Sequence, residues 1–183
     1  MQNNSPFQGE VIGIVGATGA GKSYVTGLFK AHGADIIEAD QVGHQVLQEA
    51  GYEPVVLAFG KEILAPDQTI DRKKLGPLVF SDPQRLQKLN AIVHPLIHQA
   101  IVIQIERAKT QGRLLVLDAA LLFELNLHMV CTHLILVWAS EATRLKRIMA
   151  RDGLTQAQAQ ARMASQRDFS QLVTQVDTII RNG

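Results

Sequence analysis

The stretch Gly16-Ala17-Thr18-Gly19-Ala20-Gly21-Lys22-Ser23 constrains the fold more than any other part of the chain. It satisfies G-x-x-x-x-G-K-[ST], with Gly16, Gly21, Lys22 and Ser23 at the defining positions. Val11 to Val15 before it is an apolar run of buried-strand length. Val25, Leu28 and Phe29 after it recur at helical spacing. Strand, glycine loop and helix in that order make a phosphate cradle. Glycines let backbone N–H groups turn toward an anion at close range. The helix N-terminus adds about half a positive charge. Lys22 is placed to reach outer phosphates, and the Ser23 hydroxyl to ligate magnesium. A dinucleotide fold fits poorly, because the third glycine of G-x-G-x-x-G falls on Tyr24.

The rest of the chain supplies the sheet this loop needs. Ala34 to Ile37 reads as a second strand, followed by Glu38-Ala39-Asp40 at its C-terminal end. Leu114 to Asp118 is a buried strand ending in aspartate, as the magnesium-associated strand of nucleotide enzymes does. His133 to Ala139 and Thr178 to Ile180 are further strands. Strands alternating with helices, without a hairpin signal, predict a parallel α/β sheet with helices on both faces. Roughly seventy residues separate the second strand from the third, far more than an ordinary crossover. Apolar spacing makes them mostly helical, with Pro83 at a helix start and His94-Pro95 at a helix junction. We read one domain: a nucleotide core (about 9–42, 113–140 and 176–183), a helical acceptor-binding insert (about 43–112) and a basic lid (about 141–175).

At 183 residues such a chain buries about 70% of its unfolded surface. A net charge of +1 gives no general nucleic-acid or membrane surface. Cys131 is the only cysteine, which suits a reducing cytoplasm, and its expected role is that of a small buried apolar residue. Met1 to Gly9 is polar, without an apolar signal core, and reads as a loose tail. His44, His98, His128 and His133 form no compact metal pattern with Cys131.

Phosphoryl transfer needs in-line placement and charge neutralisation more than covalent help. Lys22, Ser23 and Asp118 supply the triphosphate and magnesium side. Asp118 also reads as a strand-end cap. Asp40 reads as the acceptor-side carboxylate or as the cap of a helix over Val42 to Leu47, and the two roles are compatible. Arg144, Arg147, Arg151 and Arg162 lie in a helical segment of the kind that closes over a nucleotide, or form a solvated face, and Arg167 follows them in the basic stretch. Thr155 with Gln158 makes a capping box inside that segment. A regulatory GTPase is disfavoured, since no Asn-Lys-x-Asp stretch exists and Leu121 stands where a switch glycine belongs. A kinase for another small alcohol and a non-catalytic nucleotide module stay open on these residues.

An ordered set of stretches narrows the choice. It comprises Gly16 to Ser23, Glu38-Ala39-Asp40, Phe59-Gly60, Asp71-Arg72 with Leu75, Val79-Phe80 and His94-Pro95. Asp118 to Glu124, Arg147, Arg151-Asp152, Gln166 and Asp177 to Gly183 complete it. In this order they resemble the dephospho-coenzyme A kinase family over nearly the whole chain. The resemblance implies a five-stranded parallel sheet with a coenzyme-binding insert and a mobile lid. It implies ATP and dephospho-coenzyme A as substrates, Mg²⁺ as cofactor, a cytoplasmic monomer or weak homo-oligomer, and neither nucleic acid nor membrane as partner. By the same resemblance Asp40, Lys22 and Arg147 are catalytic. Gly16, Ala17, Thr18, Gly19, Ala20, Gly21, Lys22, Ser23, Arg147, Arg151 and Asn182 bind ATP. Asp40, Arg72, His94 and Glu124 serve the acceptor, and Ser23 and Asp118 the metal, partly through water. The chain departs from the family pattern at Glu38 (usually Asp), His44 (often Arg), Ala119-Ala120 (an apolar residue and Pro) and Arg144 (usually Gln). The family's chains continue past the position of Gly183 into one more helix.

Overall fold

The computed structural model describes residues 9–166 and 168–183, so the expectations for the N-terminal tail before Gly9 and for Arg167 lie outside the described residues. The chain divides into two compact units, residues 1–38 with 105–183, and residues 39–104.

The first unit holds the sheet. Its strands are β1 (Val11–Val15), β2 (Asp35–Glu38), β3 (Leu115–Asp118), β4 (His133–Trp138) and β5 (Thr178–Arg181). They pair in the order β2-β3-β1-β4-β5, and every pair is parallel. The five-stranded parallel sheet expected from the sequence is therefore present. All five residues of β1 are buried, as a central strand covered on both faces requires. Ile12, Ile14, Val116, Ile135 and Val137 from the sheet pack with Val25 of helix α1 (Lys22–Ala31) and with Ala34. The chain leaves β1 toward β2 on one side, while β4 lies on the other. The C-terminal end of β1 is thus the point where the winding reverses, and ligands of open α/β sheets bind at such points. Gly16 to Gly21 occupies that end. Helices α6 (Glu141–Asp152) and α7 (Gln156–Ala164) also belong to this unit. Ser140 caps α6, Gly153 ends it at φ 65°, and the expected Thr155–Gln158 box starts α7.

The second unit is helical: α2 (Ala39–Gln48), α3 (Tyr52–Phe59), α4 (Arg72–Phe80) and most of α5 (Pro83–Lys109). Val55, Phe59, Ile63, Ile70, Leu75 and Val79 form its core, against which Leu86, Leu89, Ile92 and Val93 of α5 pack. Two expectations are corrected here. His94-Pro95 is not a helix junction: α5 runs unbroken from Pro83 to Lys109 with Pro95 inside it. An internal proline removes one helical hydrogen bond at a cost of about 3 kcal/mol. Apolar residues before the proline, packed on the core, and Ile101 after it, fully buried, offset that cost. The insert also contains a small hairpin-like turn, which the absence of a hairpin signal did not anticipate. Leu64 and Ile70 form one antiparallel bridge. Asp67 shapes the turn by accepting from the Thr69 N–H at 3.1 Å and hydroxyl at 2.7 Å. Among the described residues no helix is long and apolar enough to cross a membrane.

Candidate active site

The loop is shaped by where its carbonyls go. A segment that turns N–H groups inward must turn carbonyls outward, and each needs a donor. Arg144 Nε donates to the Thr18 carbonyl at 3.0 Å. Arg147 Nη1 lies 3.3 Å from the carbonyls of both Gly19 and Ala20. The Asn182 side-chain amide donates to the Ala20 carbonyl at 2.9 Å, and the Asn182 backbone carbonyl accepts from Arg147 Nη1 at 2.9 Å. The Thr18 N–H donates to Gln166 Oε1 at 2.9 Å. Gly19 (φ 78°) and Gly21 (φ 95°) adopt left-handed backbone that only glycine takes without strain. At Gly21, the N-cap of α1, a Cβ would also collide with the Asn182 amide.

Asp118 ends β3 beside this loop. Parallel register places it level with Ile14 on one side and Glu38 on the other. Its Oδ1 is ion-paired with Lys22 Nζ, and its Oδ2 accepts from the Thr26 hydroxyl at 3.0 Å. Lys22 and Thr26 are four residues apart on α1, so both face the same strand end. Thr26 is 7% exposed, a buried polar residue satisfied by Asp118. Thr26 is not part of the loop motif, although its spacing from Lys22 on the loop helix is a usable signal. Ser23, in the first turn of α1, is exposed.

The structure brings together Gly16 to Ser23, Asp118, Arg147 and Asn182. It does not bring Arg151 to the loop. Arg151 makes a two-pronged pair with Asp152 at 2.7 and 2.9 Å, and Arg162 joins the same carboxylate at 2.8 Å. The Arg151 hydrogen bonds hold the Asp152 carboxyl below its usual range, and Asp152 in turn raises the Arg151 guanidinium. Glu124 lies exposed in the turns that follow β3. In the second unit, Asp40 is exposed inside the first turn of α2, which already begins at Ala39, so Asp40 is not the cap of a helix starting at Val42. Arg72 opens α4 behind its cap Asp71 and reaches His44 Nδ1 at 3.4 Å, while His94 lies half-buried in α5.

Among the described residues no cluster of three or more His, Cys, Asp or Glu side chains is arranged for a metal. Magnesium bound with a nucleotide needs few protein ligands, since phosphates and water fill the remaining positions. A strand-end carboxylate next to the phosphate loop, with Ser23 at the helix start, has the hard-oxygen chemistry that suits it.

Comparison with known proteins agrees with this geometry. The profile of the dephospho-CoA kinase family matches residues 10–183. The dephospho-CoA kinase of Streptomyces avermitilis is 39% identical over 93% of this chain and 84% of its own length. That of Arabidopsis thaliana is 38% identical over 94% of this chain and 75% of its own. Among solved structures, a Thermus thermophilus protein superposes with TM-score 0.81 at 30% identity, covering 95% of this chain and 88% of that one. The dephospho-CoA kinase of Campylobacter jejuni gives TM-score 0.72 at 28% identity, covering 94% and 87%. With a phosphate loop, a strand-end aspartate and a family match that spans both units, the chain belongs to the dephospho-CoA kinase family.

Proposed function

We propose that this chain transfers the γ-phosphate of ATP to the ribose 3′-hydroxyl of dephospho-coenzyme A, giving coenzyme A and ADP. The observation that carries the donor half is Asp118, held by Lys22 and Thr26 beside the phosphate loop. Backbone N–H groups of the loop and the N-terminus of α1 receive the β- and γ-phosphates. Lys22 exchanges its bond to Asp118 for the phosphate oxygens, which leaves the carboxylate free for a cation. Ser23 and Asp118 would hold the magnesium, partly through water, and it would neutralise charge developing on the phosphates.

On the acceptor side, Asp40 orients the 3′-hydroxyl and accepts its proton. The hydroxyl oxygen forms a bond to the γ-phosphorus while the bond from that phosphorus to the bridging oxygen of ADP breaks. Arg72, His94 and Glu124 serve the acceptor, and Arg147 and Arg151 serve the nucleotide. Arg151 reaches it only after releasing Asp152, a step of low cost because the pair is exposed. The protein works as a cytoplasmic monomer or weak homo-oligomer with neither nucleic acid nor membrane as partner.

A coupled assay with ATP, magnesium and dephospho-coenzyme A tests the reaction. The wild type is expected to make coenzyme A, and Asp40→Asn to lose about 10²- to 10⁴-fold in kcat with little change in KM for ATP. A wild type that forms no coenzyme A overturns the activity. An Asp40→Asn enzyme with full kcat overturns the role of Asp40.

A further inference from the structure

We infer that Arg144 is a positioning residue for the nucleotide, acting through the peptide between Thr18 and Gly19 rather than by touching phosphate. This rests on the nucleotide-binding reading of the loop. Three observations meet at Thr18 and Gly19. Arg144 Nε donates to the Thr18 carbonyl at 3.0 Å. The Arg144 backbone presses on the neighbouring residue, where a Cβ added to Gly19 would lie 2.8 Å from the Arg144 carbonyl oxygen. The Thr18 N–H is held from the other end of the basic segment by Gln166 Oε1 at 2.9 Å. Thr18 is therefore fixed at both its donor and its acceptor, by Arg144 in the first turn of α6 and by Gln166 just after α7.

The consequence follows from peptide geometry. In a planar trans peptide the carbonyl and the next N–H point in opposite directions. Holding the Thr18 carbonyl toward Arg144 turns the Gly19 N–H away from it, to the inner side of the loop where phosphate belongs. A cation on the carbonyl also polarises the peptide, making that N–H a stronger donor. Arg147 does the same for the following two peptides through the Gly19 and Ala20 carbonyls. The two arginines are three residues apart on α6, so one helix face holds three successive outward carbonyls. Burial lowers the affinity of the Arg144 guanidinium for its proton. A cation half-withdrawn from water is less screened, and its effect on the Thr18 carbonyl is larger.

The geometry assigns Arg144 an effect on nucleotide affinity that is separate from acceptor binding. The test compares wild type, Arg144→Gln and Arg144→Met by calorimetric titration with Mg·ADP and, separately, with dephospho-coenzyme A, alongside thermal melting. Gln keeps a neutral donor, whereas Met keeps only the stem. Arg144→Met is expected to raise the Mg·ADP Kd about tenfold, as loss of one charge-assisted hydrogen bond does, and Arg144→Gln about threefold. The Kd for dephospho-coenzyme A is expected to stay within about twofold, since the loop peptide serves only phosphate of the donor. In spectra of the ADP complex the Gly19 amide proton is expected to move upfield in the order wild type, Gln, Met. Wild-type Mg·ADP affinity in Arg144→Met overturns the inference alone. Equal loss for both ligands with a lowered melting temperature also overturns it, by making Arg144 merely structural. A wild type that binds no Mg·ADP overturns the nucleotide reading and the inference with it.

Discussion

Asp118 is the residue on which the proposed donor side turns, because two partners from α1 converge on its carboxylate at the end of a strand. Lys22 neutralises it, Thr26 orients it, and β3 ends on it. Lys22→Ala is expected to lower kcat/KM by about 10²- to 10³-fold, the effect of losing one preorganised donor, in a protein with an unchanged far-ultraviolet spectrum. Near-normal turnover would remove Lys22 from the site. Thr26→Val keeps shape and removes the hydroxyl. It is expected to cost about 1.5 kcal/mol by urea unfolding, the value of a hydrogen bond to a charged group. Cys131 offers a second residue-scale test. Burial pushes its thiol from 9.0 up to about 12, and Sγ donates to the Leu127 carbonyl at 3.3 Å. The folded protein thus holds the proton that the unfolded chain releases above about pH 9. Its contribution to stability is complete below that pH and is lost as pH rises toward 12. Cys131 is part-buried rather than fully buried as its sequence suggested, so a thiol reagent at pH 8 is expected to react with the folded protein more slowly than with the unfolded chain, and equal rates would contradict the raised thiol. At this scale the sequence motif made Lys22, Ser23 and Asp118 legible. For Thr26 the spacing from Lys22 is a signal but a weak one, because a threonine in a helix has many uses and only the fold puts the strand end opposite it. The expectation that Arg151 faces nucleotide ran into Asp152, an adjacent carboxylate that competes for the same guanidinium.

At the scale of elements, α6 and α7 form one clasp. Ser140 caps the first helix, Gly153 turns the chain, and Thr155 with Gln158 caps the second. Asp152 holds Arg151 and Arg162 across the turn. Few apolar residues anchor the pair: Ile148 is its buried residue in α6 and Ala159 in α7. Such a segment opens at low free energy. Amide exchange from Glu141 to Gln166 is expected to slow when a non-hydrolysable ATP analogue binds, and unchanged exchange would mean a fixed structural helix pair. Thr155→Ala is expected to speed exchange in α7, because losing the cap costs about 1 kcal/mol. The caps of these helices were readable as short local patterns. Pro95 was not, since a proline signals a break only when local energy decides. In α5 the packing of Leu86, Leu89, Ile92 and Val93 on the core of the second unit decides instead.

At the scale of the whole molecule, the proposed function puts donor and acceptor chemistry on different parts of the chain. The phosphate loop, Asp118, Arg147 and Asn182 belong to the unit of residues 1–38 and 105–183, and Asp40, Arg72 and His94 to the unit of residues 39–104. The parallel sheet was legible because buried strands read as continuous apolar runs. The second unit was legible as a helical excess between strands, though not its core, which depends on pairings too distant for local spacing to show. This division makes a prediction that a single-residue test does not. Ligands restrain the backbone they touch, so each substrate is expected to protect its own unit from amide exchange. Mg·ADP is expected to slow exchange in the loop from Gly16 to Gly21 and in α1, and to leave α2 and α4 near their free rates. Dephospho-coenzyme A without nucleotide is expected to slow α2, around Asp40, and the start of α4, around Arg72. Protection of the phosphate loop by dephospho-coenzyme A, with α2 and α4 unaffected, would reverse the assignment. It would place the acceptor on the donor's loop and leave Asp40 as an exposed helix-start aspartate.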